Sequence, residues 1–236
     1  MTIARRTAAR YAEAADLAAL GLPTAALRTV PPYFGVVTRA GGASGATLAL
    51  GGYPAGIYDL RVRVSTGGAL GAAAVEVSTN GGTSYASPVS VPSSGVVSVA
   101  GTSSSIATGL TLTFTGALTL ADVYSADVAS GVERALDEAS DWLDGYLRRR
   151  YTLPLTAWDI AVRGAAAAKA TLACMTARGY DPNAGTDAVI KDRFDEASRW
   201  AERVAQGWIT PDVTDSSDDD PAEDVIVASN SRRGWR

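Results

Sequence analysis

The sequence contains no histidine and a single cysteine, Cys174. The commonest general base and the commonest transition-metal ligand are therefore missing together, and no zinc site of the usual ligand types can be assembled. Neither lysine, Lys169 or Lys191, follows a glycine, so no phosphate-binding loop is present, and Gly41, Gly42 and Gly45 lead into no helix. Ser44 and Ser130 have glycines nearby, but neither sits in a Gly-x-Ser-x-Gly elbow and no histidine exists to activate them. Asp137, Asp141 and Asp144 fall on neighbouring turns of one expected helix, where paired carboxylates could act as acid and base. The plainer reading is a solvated face, with Asp144 pairing Arg148 and Asp195 pairing Arg199 at the i,i+4 spacing. Asp218 to Asp220 lacks the alternating ligands and turn glycine of a calcium loop. These residue types predict no enzyme and no cofactor. They leave Arg148, Arg149 and Arg150, which either complement the C-terminal dipole of their own helix or face an acidic partner or DNA.

The elements that would position these residues fall into blocks. The first thirty residues read as helical, with Thr7 as a candidate cap and Tyr11, Ala14, Leu17 and Leu20 on the apolar side before Gly21. A short helix after Pro23 would be stopped by Pro31 and Pro32. From about Tyr33 to Tyr124 the period drops to two: Tyr58 to Val64, Val75 to Ser78 and Leu110 to Phe114 alternate, with glycine-rich turns between them. Short alternating strands at that spacing predict a small sandwich or barrel. The helical period returns near Asp127 or Ser130 along Val132, Leu136, Ala139, Trp142 or Leu143, and Tyr146 or Leu147. Pro154 would end this helix. Two more are expected, from about Trp158 to Arg178 and from Thr186 to Gly207.

The remainder is polar and acidic through Asp215 to Asp220, and then carries Val225, Ile226 and Val227, and Arg232, Arg233 and Trp235. An apolar segment and a basic aromatic end on a polar tether predict docking onto a partner. The expected fold class is α+β: a helical bundle core of four to five helices, residues 1–32 and 126–208, interrupted by an all-β sandwich or barrel insert, residues 33–125, and followed by an extended C-terminal docking tail, residues 209–236. The formal charge of −4 and pI near 4.9 argue against bulk coating of nucleic acid. The longest small-apolar run, Gly164 to Met175, is interrupted by Lys169 and is too short to span a bilayer, so no membrane association is expected.

The run Ala135 to Leu155 resembles the signature helix of the head-tail adaptor (connector) family of tailed phages and Mu-like prophages, written A-L-x-D-A-S-x-x-I-D-x-Y-L-x-x-R-Y-x-L-P-L. Asp144, Tyr146, Leu147, Arg150, Tyr151, Leu153, Pro154 and Leu155 stand at the matching places. Tyr11 to Leu17 is similar to the family's opening, Arg193 to Gly207 to its closing helix, and Val227 to Trp235 to its ending. Val77 to Ser84 resembles small β modules on phage structural proteins. The resemblance implies a virion neck protein, assembled in the host cytoplasm, forming a closed ring of about twelve copies under the portal. Its partners would be further copies of itself, the portal protein, the next neck, stopper or tail-completion protein, and DNA passing transiently through the channel. A competing reading is a tail or capsid accessory protein whose β module binds a host-surface glycan through Tyr53, Tyr58 and Tyr85, or binds another virion protein.

Overall fold

The computed structural model describes residues 9–22, 27, 30–41, 45–100, 107–179, 181 and 185–216. Among these the chain forms eleven strands and four helices. The strands come first: β1 (Tyr33–Phe34), β2 (Thr38–Ala40), β3 (Thr47–Gly52), β4 (Ile57–Thr66), β5 (Ala74–Ser78), β6 (Val89–Ser90), β7 (Val96–Ala100), β8 (Ala107–Thr115) and β9 (Val123–Ala129). One sheet runs β1-β9-β4-β5-β6, with β2 also on β9, and a second runs β3-β8-β7; every ladder is antiparallel. Period-two alternation sends Leu60, Val62 and Val64 of β4 and Leu110, Leu112 and Phe114 of β8 into one shared core. Phe114 meets Tyr124 of β9 edge-on at 6.0 Å between ring centroids, joining the sheets.

Turn chemistry accounts for the glycine runs. Ser78 is fully buried, and its Oγ accepts from Gly82 N–H at 2.9 Å and donates to Asn80 Oδ1 at 2.8 Å, while Gly81 and Gly82 take φ of +71° and +88°. The Val77 to Ser84 run is thus the end of β5 and a turn closed by its own side chains.

The helices are α1 (Ala14–Ala19), α2 (Gly131–Leu147), α3 (Ile160–Arg178) and α4 (Gly185–Gln206). The remaining strands, β10 (Ala157–Trp158) and β11 (Val213–Thr214), pair with each other. α3 is packed by α1, α2 and α4, and its Val162, Ala165 to Ala168, Ala170 and Cys174 are all buried. Short side chains there let three helices approach one axis closely. α2 contributes Val132, Leu136, Ala139, Leu143 and Leu147 to the same core, and leaves Trp142 and Tyr146 half-buried, with Trp142 against Phe194 of α4 at 5.7 Å.

This corrects the expected plan. The chain is a mixed α+β protein whose N-terminal half is dominated by antiparallel sheet, and not a bundle of four to five helices with a β insert. Two physical reasons stand out. The β segment closes a complete core of its own, so it is a principal part of the molecule. Among residues 9–22 the chain forms one six-residue helix, because Tyr11 and Ala12 are buried ahead of it and Glu13 N–H is capped by Asp16 Oδ2 at 2.8 Å. The helix expected after Pro23 falls mostly outside the described residues. β9 runs on to Ala129 before Ser130 leads into α2, and α2 stops at Leu147, about two turns before Pro154.

The tail expected from residue 209 is also corrected up to Ser216. Ile209 and Val213 pack on the helical core, β11 pairs with β10, and Thr152 N–H is held by Asp215 Oδ2 at 2.7 Å. β10 and β11 were unforeseen. Two residues each are too few to show alternation.

Candidate interaction surface at one end of the helices

The signature residues divide into those that build the helical core and those that stay on its surface. Tyr11 lies 1% exposed, between the three parts that must meet. Its hydroxyl bonds the Asp144 carboxylate, its N–H donates to Ser140 Oγ at 3.2 Å, its carbonyl accepts from Trp158 Nε1 at 3.1 Å, and its ring meets that of Trp158 edge-on at 5.1 Å. Asp144 is therefore a structural anchor for the opening strap. Leu147 is fully buried, Tyr146 packs edge-on against Trp142 at 5.3 Å, and Tyr151 is half-buried. Burial pushes the Tyr151 phenol up; Arg150 opposes the rise, and Asp159 and Asp215 add to it. Pro154 follows a cis peptide bond and leads into buried Leu155.

Antiparallel packing gathers the C-terminus of α2, the N-terminus of α3 and the C-terminus of α4 at one end of the helices. The contacts that fix this are specific. The Arg150 guanidinium lies against Gly207, whose φ of +82° favours glycine, and Asp159 Oδ2 accepts from Asp212 N–H at 3.2 Å. Arg148, Arg149 and Arg150 are all exposed there. Arg148 Nε donates to Asp144 O at 3.1 Å, an interaction with the orphan carbonyls of its own helix end, and among the described residues none of the three arginines forms an ion pair. Arg148 thus serves its own helix end, the Arg150 head lies against Gly207, and all three side chains are exposed.

The same end carries a residue that sequence reasoning passed over. Trp208, just beyond the glycine that closes α4, is 76% exposed. An apolar position directly after a helix stop gives no periodic signal, so only its exposure marks it. The tail residues Val225, Ile226, Val227, Arg232, Arg233 and Trp235 lie outside the described residues; the described chain reaches Ser216, whose N–H donates to Thr152 O at 3.4 Å at this same end.

Elsewhere the surface offers less chemistry. A cleft of about 470 Å³ sits between Val30, Tyr53, Pro54 and Val132, where β and helical parts meet, and is mostly apolar. Of the three tyrosines considered for sugar stacking, Tyr53 is exposed beside that cleft, Tyr58 is half-buried with its phenol pushed up by burial and by Glu133, and the Tyr85 ring is covered by Arg63 at 4.5 Å. Among the described residues no three carboxylate or thiol side chains converge as a metal site would require, and no helix is long and apolar enough to cross a membrane.

Residues 110–229, half of the chain, match the family model described as Bacteriophage Mu, Gp36. The chain belongs to the Bacteriophage Mu Gp36 family. This Gp36-family protein is therefore a phage structural protein and a virion component. The match starts within β8, so it takes in β9 as well as the three long helices, the arginine cluster and the first part of the tail; the strap at Tyr11 lies ahead of it. No curated protein matches the sequence. Two crystal structures of Xanthomonas campestris FlgL align at 11% and 12% identity over 72% and 74% of this chain, with TM-scores of 0.25 and 0.26. The chain spans about half the length of those FlgL chains, and the overlap is too poor to carry a conclusion about this Gp36-family fold.

Proposed function

We propose that this protein is the head-tail adaptor of its phage: a ring, expected to be a dodecamer, under the portal that extends the DNA channel toward the tail. The supporting observation is the end of the helices where Arg148, Arg149, Arg150 and Trp208 are exposed together and from which the chain continues into residues 217–236. In this reading Val225, Ile226 and Val227 add to a portal or neighbouring subunit as an extended segment, and Trp235 fills a pocket. Each aromatic anchor is worth about 2–4 kcal/mol, and ring closure makes many such contacts simultaneous. The exposed arginines face either an acidic protein surface or the DNA that traverses the ring. The protein acts without catalysis or cofactor, and the next neck or tail-completion protein binds the opposite face of the ring.

The test is co-assembly with the portal, read by electron microscopy and by mass photometry. The full chain should enter a closed ring only when portal is present. Removing residues 222–236 should abolish incorporation while far-UV circular dichroism stays unchanged. A truncated chain that still enters the ring at full occupancy would remove the tail from the docking scheme. Absence of the protein from purified particles would end the adaptor reading altogether.

A further inference from the structure

A groove on the helical part remains unexplained by the reading above. It runs along α3 in two joined sections of about 460 and 350 Å³ that share Leu20 and Gly164. Trp158 and Ile160 stand at one end and Trp200 at the other, with the backbone of α3 as the floor. Ile160 is 86% exposed at its lip. Gly164 is the informative residue: a glycine within a helix costs about 1 kcal/mol relative to alanine. Yet a methyl group there would meet nothing within 4 Å. Nothing in the described fold needs that space.

We propose that this groove is the seat of the chain's own segment Val225-Ile226-Val227 in the isolated subunit. Two observations support this occupant. The floor from Ala161 to Ala168 spans about 10 Å at helical rise, and three residues in extended conformation span about the same. The described chain ends at Ser216 beside β10, and β10 leads through Asp159 directly into Ile160; eight residues lie between Ser216 and Val225, a reach of about 30 Å. A tether this short gives an effective concentration of about millimolar, so the same chain outcompetes a second copy in dilute solution. The segment would therefore be stowed in the free subunit and must leave the groove before it can serve any other site.

The inference is independent of the adaptor reading and is tested on the isolated full-length chain. Hydrogen exchange across residues 222–229 should run at least tenfold slower than in the free peptide, and should rise to the peptide rate in Gly164→Phe, whose Cβ enters open space on the groove floor. Ile226→Asp, which leaves α3 untouched, should release the segment equally and covers the case of a poorly folded Gly164→Phe. A cysteine pair placed by Ile226→Cys and Ala161→Cys and bridged by a short bismaleimide should give an intrachain product at low micromolar protein. Peptide-like exchange in the wild-type chain, protection that survives both variants, or an interchain cross-linked dimer would each overturn the proposal.

Discussion

Asp122 is completely buried in the turn ahead of β9, with Arg39 Nε of β2 at 3.2 Å and Gly41 packed so closely that any side chain there would strike the carboxylate. Removing one partner of a buried ion pair is far costlier than removing both, because the survivor keeps its desolvation penalty. Arg39→Met should therefore destabilise by about 3 kcal/mol, while Arg39→Met with Asp122→Leu should recover most of the loss. Urea midpoints at constant m-value decide this; a single variant within 0.5 kcal/mol of wild type, on the order of a surface change, would contradict it. A second residue-scale outcome concerns acid. Burial alone would push the Asp16 carboxyl up, but hydrogen bonds from Arg163 and from the Glu13 N–H outweigh it and hold the group below its usual range. A carboxyl lowered in the folded state contributes stability above its unfolded value and loses it as pH falls through the folded one. Asp16→Asn should accordingly flatten the stability profile below about pH 4 and leave its slope above pH 5 unchanged. Urea midpoints from pH 2 to 6 give the answer.

Among the elements, the start of α3 is where several parts depend on one side chain. Asp159 Oδ1 accepts from Ala161 N–H at 3.0 Å and Val162 N–H at 2.9 Å, while Oδ2 takes Asp212 N–H at 3.2 Å. Asp159→Ala should lose the helix cap, about 1–2 kcal/mol, and lower Tm by about 2–8 °C. Exchange at Asp212 to Thr214 should quicken as well, because β11 loses a fastening beside its partner strand β10. Unchanged exchange there would mean that β10 alone holds β11. Legibility also varied by element. Where many residues repeat one period the reading held: Tyr58 to Val64 and Leu110 to Phe114 lie in β4 and β8, and the long helices start at Gly131, Ile160 and Gly185. Where a segment is short, local pattern has no statistical weight, and Tyr11 shows the consequence. The pattern predicts it on an apolar helical stripe, yet it sits ahead of α1, because bonds to Ser140, Asp144 and Trp158 are available only once α2 is folded and β10 is in place.

At the scale of the molecule the chain carries two cores, one between the sheets and one among the helices. They meet where Ser130 N–H donates to Gly56 O at 2.8 Å, Arg134 covers the Tyr33 ring at 5.0 Å, and Gly131 passes under Pro31 too closely for any side chain. The strands from β1 to β9 contain no tryptophan, since all five lie at Trp142 and beyond. Tryptophan emission thus carries no signal from these strands and reports the helical core through Trp142, Trp158 and Trp200. Urea unfolding should give an emission midpoint distinct from that of the sheet signal in circular dichroism, as two separately packed cores allow. Coincident midpoints by both probes would show the joint to be strong enough to couple them.

The sequence by itself determined the inventory and the periods. No histidine and one cysteine removed most catalytic chemistry, alternation marked the central strands, and the run ending in Leu153-Pro154-Leu155 pointed to phage structural proteins. Tertiary structure alone decided the balance of the architecture, the fastening of residues 209–216, the meeting of Arg150 with Gly207, the exposure of Trp208 and the empty space over Gly164. The division has a physical cause. Period and composition are properties of neighbours in the chain, whereas burial, exposure and vacancy depend on which distant surfaces remain uncovered after every element has packed.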